Sequence, residues 1–215
     1  MLVGLLVNPI AGMGGRVGLK GTDGVVDEAI KRGATPVAPG RAKEFLQTLD
    51  SLHIVPSKME LVVCPRQMGE DVTQAVGMRY AVADVAVSGK TDSSDTRNCV
   101  RALYKAGVRL LVFVGGDGTA RDILDAISED NLIDLLVIGV PSGVKMYSGI
   151  FVVNPTDAAE VVKLVLEGGA GEAEFEIMDA DEKAFREDQF IIKLYGFMKG
   201  PSVPARFQGA KQASP

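Results

Sequence analysis

The chain has 215 residues, 47% of them hydrophobic, and a formal net charge of −5. Its length and apolar content suffice for one core and the start of a second domain, and its acidic balance argues against a nucleic-acid partner. No apolar run reaches the roughly 18 residues that cross a bilayer, so we expect no membrane partner. The two cysteines are far apart in sequence and there is one histidine, so we expect neither a disulfide framework nor a protein-held metal, which suits a cytoplasmic protein.

Short apolar runs alternate with amphipathic segments from the start of the chain to about residue 170. The runs with the length of buried strands are Leu2–Val7, Leu61–Cys64, Val82–Val87, Leu110–Val114 and Leu135–Val140. The segments predicted to be helical are 25–32, 42–52, 68–79, 93–106, a helix from about Thr119, and one that begins at Pro155 and ends at Gly168. Strands that are apolar on both faces and separated by helices form parallel sheets, so we predict an α/β domain over residues 1–170, with a parallel sheet sandwiched by helices.

Two helix starts carry capping signals. Ser93 or Ser94 is predicted to cap the helix that closes at Gly107. Thr119 and Asp122 have the spacing of a capping box at the start of another helix.

The pattern changes after Gly171. Two extended segments, Glu172–Met178 and Phe190–Phe197, flank a charged stretch. We therefore predict that residues 171–198 form a β-hairpin or the start of a β-rich second domain. Residues 199–215 contain three prolines and are predicted to be a tail or a truncated linker.

Polar or glycine-rich segments follow four of the predicted strands. They are 8–24, 88–96, 115–119 and 141–148. Because ligands of parallel sheets bind at the carboxyl ends of the strands, we expect these segments to meet at one edge.

The most informative of these segments is Gly115-Gly116-Asp117-Gly118-Thr119. Glycines let a phosphate or a ribose approach the backbone, and the N–H groups of the following helix attract anions. Asp117 stands alone among them, which favours a site that moves a phosphoryl group onto a hydroxyl. An ordinary strand-to-helix turn is the alternative.

The segment after the first strand is rich in glycine. It includes Gly12, Gly14 and Gly15, with Arg16 and Lys20 interleaved, so it offers both room and positive charge for a phosphate. It matches neither the dinucleotide-binding pattern nor a P-loop, and a flexible surface loop is the alternative.

Two further segments have both a binding and a structural interpretation. Ser88-Gly89-Lys90-Thr91 resembles the end of a P-loop, but Asp84 occupies the position of the first glycine, so its hydroxyls either bond a ligand or cap the next helix. In the segment that begins Pro141-Ser142, Lys145 either approaches a phosphate or is solvated.

Together these residues resemble the ATP–NAD kinases. The likeness lies in Val7-Asn8-Pro9 with its glycine-rich loop, in Val114–Arg121, in Thr91–Thr96 and in Gly139–Ser148, and it is strongest to the branch predicted to use ATP or polyphosphate. The Gly-Gly-Asp-Gly-Thr core alone is shared with lipid kinases and phosphofructokinases. Family members continue into a larger β domain with an Asn-Glu pair, and no segment after Gly171 matches that pair.

The resemblance implies a function and a set of residues. Asp117 would be the general base that takes the proton from the 2′-hydroxyl of NAD as it attacks the γ-phosphate of ATP or polyphosphate, with Mg²⁺ present, giving NADP. A homo-oligomer is also implied. The residues predicted to hold the nucleotide are Asn8, Gly12, Gly14, Gly15, Gly115, Gly116, Gly118, Thr119, Arg121 and Ser142. The alternatives are a lipid or sugar kinase of the same superfamily and a nucleotide-binding module without catalysis.

Overall fold

The computed structural model describes residues 1–13, 26–53, 58–143, 146–180 and 192–203. Its strands are β1 (Leu2–Val7), β2 (Glu60–Val63), β3 (Ala81–Val82), β4 (Leu110–Gly115), β5 (Leu136–Pro141), β6 (Gly171–Ala180) and β7 (Ile192–Ser202). Its α-helices are α1 (Val26–Lys31), α2 (Ala38–Ser51), α3 (Glu70–Val76), α4 (Ser93–Lys105), α5 (Asp117–Glu129) and α6 (Pro155–Leu166), and a 3-10 helix spans Arg66–Met68.

Five strands form one sheet in the order β3-β2-β1-β4-β5, and every neighbouring pair is parallel. Successive residues of a strand face opposite sides of the sheet, so each strand contributes to two cores. In β4, Leu110, Val112 and Val114 pack with α2 and α6, whereas Leu111 and Phe113 pack with α4 and α5. The predicted parallel sheet between helices is confirmed.

Three local predictions are wrong. The strand predicted over Val82–Val87 ends at Val82, because the Val85 N–H turns back to the Ala83 carbonyl and the chain leaves the sheet. The helix predicted over 68–79 is shorter, because Gly69 with a φ of +152° separates Met68 from α3 and Gly77 with a φ of +83° ends α3 after Val76. The N-cap of α4 is Asp92, whose carboxylate accepts the N–H groups of Ser94 and Asp95.

The end of the described chain is an antiparallel hairpin of β6 and β7, as predicted. β7 continues to Ser202, so residues 199–202, predicted to begin a tail, belong to the strand, and the rest of that tail lies outside the described residues. Ile177 and Met198 join the core beside α4 and α5. The hairpin therefore packs on the α/β layer.

The two cysteines are neighbours in space although they are distant in sequence. Both are free and fully buried, and the Cys99 thiol lies 3.9 Å from the Met68 sulfur. Burial, together with the adjacent Cys99 thiol, raises the pKa of Cys64. The Cys64 thiol is therefore protonated at neutral pH and serves as a core side chain.

No helix in the described ranges is both long and apolar enough to span a bilayer.

Candidate active site

The strand order places the candidate site. Connections run outward in opposite directions from β1 and β4, and ligands of open α/β sheets bind where the order reverses, outside the carboxyl ends of the strands. β1 ends at Val7 and is followed by Asn8, and β4 ends at Gly115. The two segments with the strongest sequence signals therefore emerge side by side.

A hydrogen bond joins these two segments. The Asn8 side-chain amide donates to the Thr119 hydroxyl at 2.9 Å, and the Asn8 backbone N–H donates to the Val114 carbonyl at 2.9 Å. The held Thr119 side chain fills the space beside Gly115, where an added Cβ would lie 2.5 Å from Oγ1. Gly115 is thus required by packing.

The loop after β1 also contacts the loop after β5. A Cβ on Gly12 would lie 2.1 Å from the Ser142 carbonyl oxygen, and the φ of Gly12 is +81°, a region that side chains disfavour. The Ser142 N–H donates to the Gly115 carbonyl at 3.0 Å. Three of the four segments expected to meet are therefore in direct contact.

Asp117 is the first residue of α5, and its side chain is half-buried. Its carboxylate accepts the Ser148 N–H at 2.9 Å on Oδ1 and the Tyr147 N–H at 3.0 Å on Oδ2. No cation pairs with Asp117 among the ion pairs of the described residues. A carboxylate has about four lone-pair positions, so this one keeps the capacity to accept a proton.

The charge of the same carboxylate also affects the Tyr147 side chain. Burial and then the negative charge of Asp117 raise the pKa of the Tyr147 phenol. The phenol therefore stays neutral at physiological pH and adds no second negative charge beside Asp117.

The start of α5 has features of an anion site. Its N-cap, Gly116, has no side chain to bond the first-turn N–H groups, which a helix leaves without internal partners. The nearby Ser142 hydroxyl is buried and has no hydrogen-bond partner among the described residues. A phosphate oxygen is the kind of acceptor that both the N–H groups and the hydroxyl lack.

Comparison with known families identifies the chain. The ATP-NAD kinase N-terminal domain family matches residues 3–170, which include β1, β4, β5 and every segment of the site. The chain belongs to the ATP-NAD kinase family.

Other comparisons are distant. No curated protein matches the chain. Among solved structures, it is similar to the UDP-GlcNAc 2-epimerase of Neisseria meningitidis bound to UDP-GlcNAc, at 6% identity and a TM-score of 0.36, over 65% of this chain and 31% of that chain. It is also similar to a UDP-N-acetylglucosamine 2-epimerase of Listeria monocytogenes described as putative, at 12% identity and a TM-score of 0.35, over 65% and 30%. The chain thus spans less than a third of either.

In this member of the ATP-NAD kinase family, several of the residues predicted to bind the nucleotide lie next to one another. Asn8, Gly12, Gly115, Thr119 and Ser142 are brought together, and Gly118 lies in the first turn of α5. Gly14, Gly15, Arg16, Lys20 and Lys145 lie outside the described residues. The predicted capping box of Thr119 and Asp122 is wrong, because α5 begins at Asp117 with Gly116 as its N-cap.

Arg121 has a partner in the hairpin. Arg121 lies one turn of α5 beyond Asp117. Its guanidinium Nη1 donates to the carboxylate of Asp179 in β6. The buried Nε of the same guanidinium has no hydrogen-bond partner among the described residues, so a phosphate contact there would not require this ion pair to break.

The segment 88–96 is organised around a helix start. The buried Asp95 carboxylate accepts the N–H groups of Ser88 and Asp92. The Ser94 hydroxyl donates to Asp92. Of the two interpretations of this segment, capping describes these contacts, although the capping residue is Asp92 and not a serine.

Residue-level sequence reasoning did not single out Tyr147 and Ser148. Both act on Asp117 through backbone N–H groups, and the sequence carries no signal for a peptide N–H that reaches an acid about 30 residues earlier. The resemblance of Gly139–Ser148 to the family was the one available indication.

Proposed function

We propose that this protein is an NAD kinase that transfers the γ-phosphoryl group of ATP, or a terminal phosphoryl group of polyphosphate, to the 2′-hydroxyl of NAD to give NADP. Asp117 is the general base. The observation that carries the proposal is the half-buried Asp117 carboxylate, held by two peptide N–H groups and paired with no cation of the described chain, at the uncapped start of α5.

The surrounding residues support binding of a polyphosphate chain. Gly116 leaves the first-turn N–H groups of α5 without a side-chain cap, and Ser142 offers a buried hydroxyl without a partner in the described chain. Gly12 and Gly115 allow the two glycine-rich segments to approach each other. Such donors favour the oxygens of a triphosphate.

The residues fit a divalent cation that arrives with the phosphates. No group of three or more His, Cys, Asp or Glu side chains in the described residues is arranged to hold a metal. Mg²⁺ at phosphoryl-transfer sites keeps several waters and is held largely by the substrate phosphates, so it would enter this site with the nucleotide and leave Asp117 as the base. When bound, Mg²⁺ screens the charge of the phosphoryl group in transfer.

The proposed reaction needs one proton acceptor. The Asp117 carboxylate takes the proton of the ribose hydroxyl while that oxygen forms a bond to the terminal phosphorus. The bond from this phosphorus to the bridging oxygen breaks, and ADP, or a polyphosphate one phosphate shorter, leaves with the electron pair. The Tyr147 and Ser148 N–H groups keep the carboxylate aimed during this step.

Asp117→Asn tests the proposal. It keeps the size and acceptor oxygen of the side chain but removes the base, so we expect normal folding and NADP formation slowed by about 10²- to 10⁴-fold. NADP is measured by enzymatic cycling with NAD, Mg²⁺ and either ATP or polyphosphate. Asp50→Asn is the matched control, because Asp50 is exposed, lies in the last turn of α2 and is not among the described hydrogen-bond partners of Asp117.

The outcomes separate the candidate functions. Equal NADP formation by wild type and Asp117→Asn would refute the role of Asp117. Turnover with diacylglycerol, sphingosine or sugar phosphates but not with NAD would indicate a related kinase. Calorimetric binding of ATP or NAD with no product would indicate a binding module.

A further inference from the structure

We infer that Ser148 is a positioning residue through which the hairpin β6–β7 orients the base Asp117. This inference rests on the proposed function. The backbone N–H and the side-chain hydroxyl of Ser148 contact different parts of the molecule.

Ser148 forms two hydrogen bonds in opposite directions. Its N–H donates to Asp117 Oδ1 at 2.9 Å, whereas its hydroxyl oxygen accepts the Met178 N–H of β6 at 2.9 Å. Its exposed fraction is 3%, so water does not compete freely for either bond. A continuous path thus runs from the backbone of β6 through Ser148 to the carboxylate.

The neighbouring backbone is fixed to two strands. The Gly149 N–H donates to the Glu176 carbonyl of β6 at 2.8 Å. The Gly139 N–H of β5 donates to the Ile150 carbonyl at 3.1 Å, and the Val152 N–H donates to the Gly139 carbonyl at 2.9 Å. The chain that follows Ser148 is therefore held by hydrogen bonds to both β5 and β6.

Before Ser148 in the chain, the Tyr147 backbone N–H also donates to Asp117. Of the two described hydrogen bonds from this loop to the β6 backbone, removing the Ser148 hydroxyl would break one and leave the bond from Gly149. The two N–H groups that hold the carboxylate would then lose part of their orientation.

Ser148→Ala tests this role because it keeps the N–H to Asp117 and removes only the hydroxyl. We expect kcat to fall about tenfold, since small misplacements of a reacting group cost up to about 100-fold, while KM for NAD and for ATP stays unchanged. Ser148→Thr keeps the hydroxyl and should restore most of kcat. Amide exchange at Met178 should accelerate in the alanine variant and not in the threonine variant.

Tyr195→Phe is the matched control. It removes another hydroxyl that ties the hairpin to α5, the 2.6 Å bond from Tyr195 to Asp125, without touching the path through Ser148. We expect its kcat to equal that of the wild type.

Failure of the inference is distinguishable from failure of the proposed function. If Asp117→Asn abolishes activity but Ser148→Ala keeps the wild-type kcat, Ser148 has no positioning role and the proposed function stands. If Ser148→Ala raises KM and lowers the melting temperature as much as Tyr195→Phe does, its role is structural. If Asp117→Asn is fully active, the base assignment itself fails.

Discussion

Two glycines beside Asp117 are present for different physical reasons. Gly115 has no room for a side chain, because Thr119 occupies that space. Gly116 is in extended backbone, and a Cβ on it would meet nothing nearer than Met146 at 3.8 Å. Packing within the described residues therefore explains why position 115 is glycine but does not explain Gly116. A ligand that fills the space at Gly116 would account for the second glycine.

Gly116→Ala separates binding from folding. We expect a free energy of unfolding within about 1 kcal/mol of the wild type. ATP should bind about tenfold more weakly or worse, because a methyl group would enter a close contact with phosphate. Urea unfolding and calorimetry measure the two quantities.

Gly12→Ala is the comparison variant. Its positive φ and the 2.1 Å approach to the Ser142 carbonyl should cost about 1–3 kcal/mol of stability, even without ligand. Unchanged ATP affinity in Gly116→Ala would mean that Gly116 lies outside the nucleotide site.

Only some residues of the candidate site could be predicted from the sequence. Asp117 and its glycines follow from their place between an apolar strand and a helix. The arrangement around them does not, because it depends on long-range backbone contacts. Gly12 against Ser142 and Ser148 against Asp117 are examples, and no local pattern encodes either pairing.

Among the elements, α4 shows the clearest capping. The Asp92 carboxylate accepts the N–H groups of Ser94 and Asp95, and the Asp95 carboxylate in turn accepts the Asp92 N–H. Hydrogen bonds from the Ser94 side chain and then from the Ser94 and Asp95 backbone lower the pKa of Asp92. The charged form is therefore favoured by folding.

Asp92→Ala should lower the free energy of unfolding by about 1 kcal/mol at neutral pH. Because the folded-state pKa of Asp92 is depressed, its contribution is present above the ordinary aspartate pKa and is lost as the pH falls through the lower folded value. The difference between wild type and variant should therefore shrink in acid. Thermal unfolding at several pH values measures it.

Asp92→Asn is the matched variant, since asparagine caps a helix without titrating. It should stay close to the wild type at neutral pH, and its stability advantage over Asp92→Ala should not change with pH, because neither variant titrates at this position. An alanine variant as stable as the wild type at neutral pH would contradict the capping role.

The elements were predictable where their pattern was long and periodic. The strands β1, β4 and β5 and the helices α2, α4 and α6 occur where the sequence indicates them. β3 was overestimated, because Val85 and Val87 are apolar for packing against the core and not for pairing in the sheet. Burial without strand pairing looks the same in sequence as a buried strand.

At the scale of the whole molecule, the hairpin shares its core with the α/β layer. Met198 has an exposed fraction of 2% and packs in the same cluster as Phe113 of β4 and Ile123 of α5. Across the hairpin, Gly196 is closely packed on Leu124, where a Cβ would approach within 2.8 Å. These contacts indicate that the two parts unfold together.

Met198→Ala should lower the free energy of unfolding by about 2–4 kcal/mol in a single transition, because it leaves a cavity in the shared core. Leu194→Ala is the control on the same strand, since Leu194 is 52% exposed and its loss should cost about 0.5 kcal/mol or less. Urea unfolding followed by circular dichroism, with amide exchange in β1 and β4, measures both. Faster exchange confined to the hairpin would show instead that it unfolds separately.

The way the sheet ends on each side limits what else can join it. On the β5 side, the bridge between Gly139 and Phe151 occupies backbone groups that an edge strand would leave free. On the other side, β3 offers only Ala81 and Val82. Exposed edges are the templates on which chains polymerise through intermolecular strand addition. Within the described residues, the five-stranded sheet therefore has a β5 edge interrupted at Gly139 and a β3 edge of two residues, which leaves a neighbouring chain little continuous backbone for strand addition.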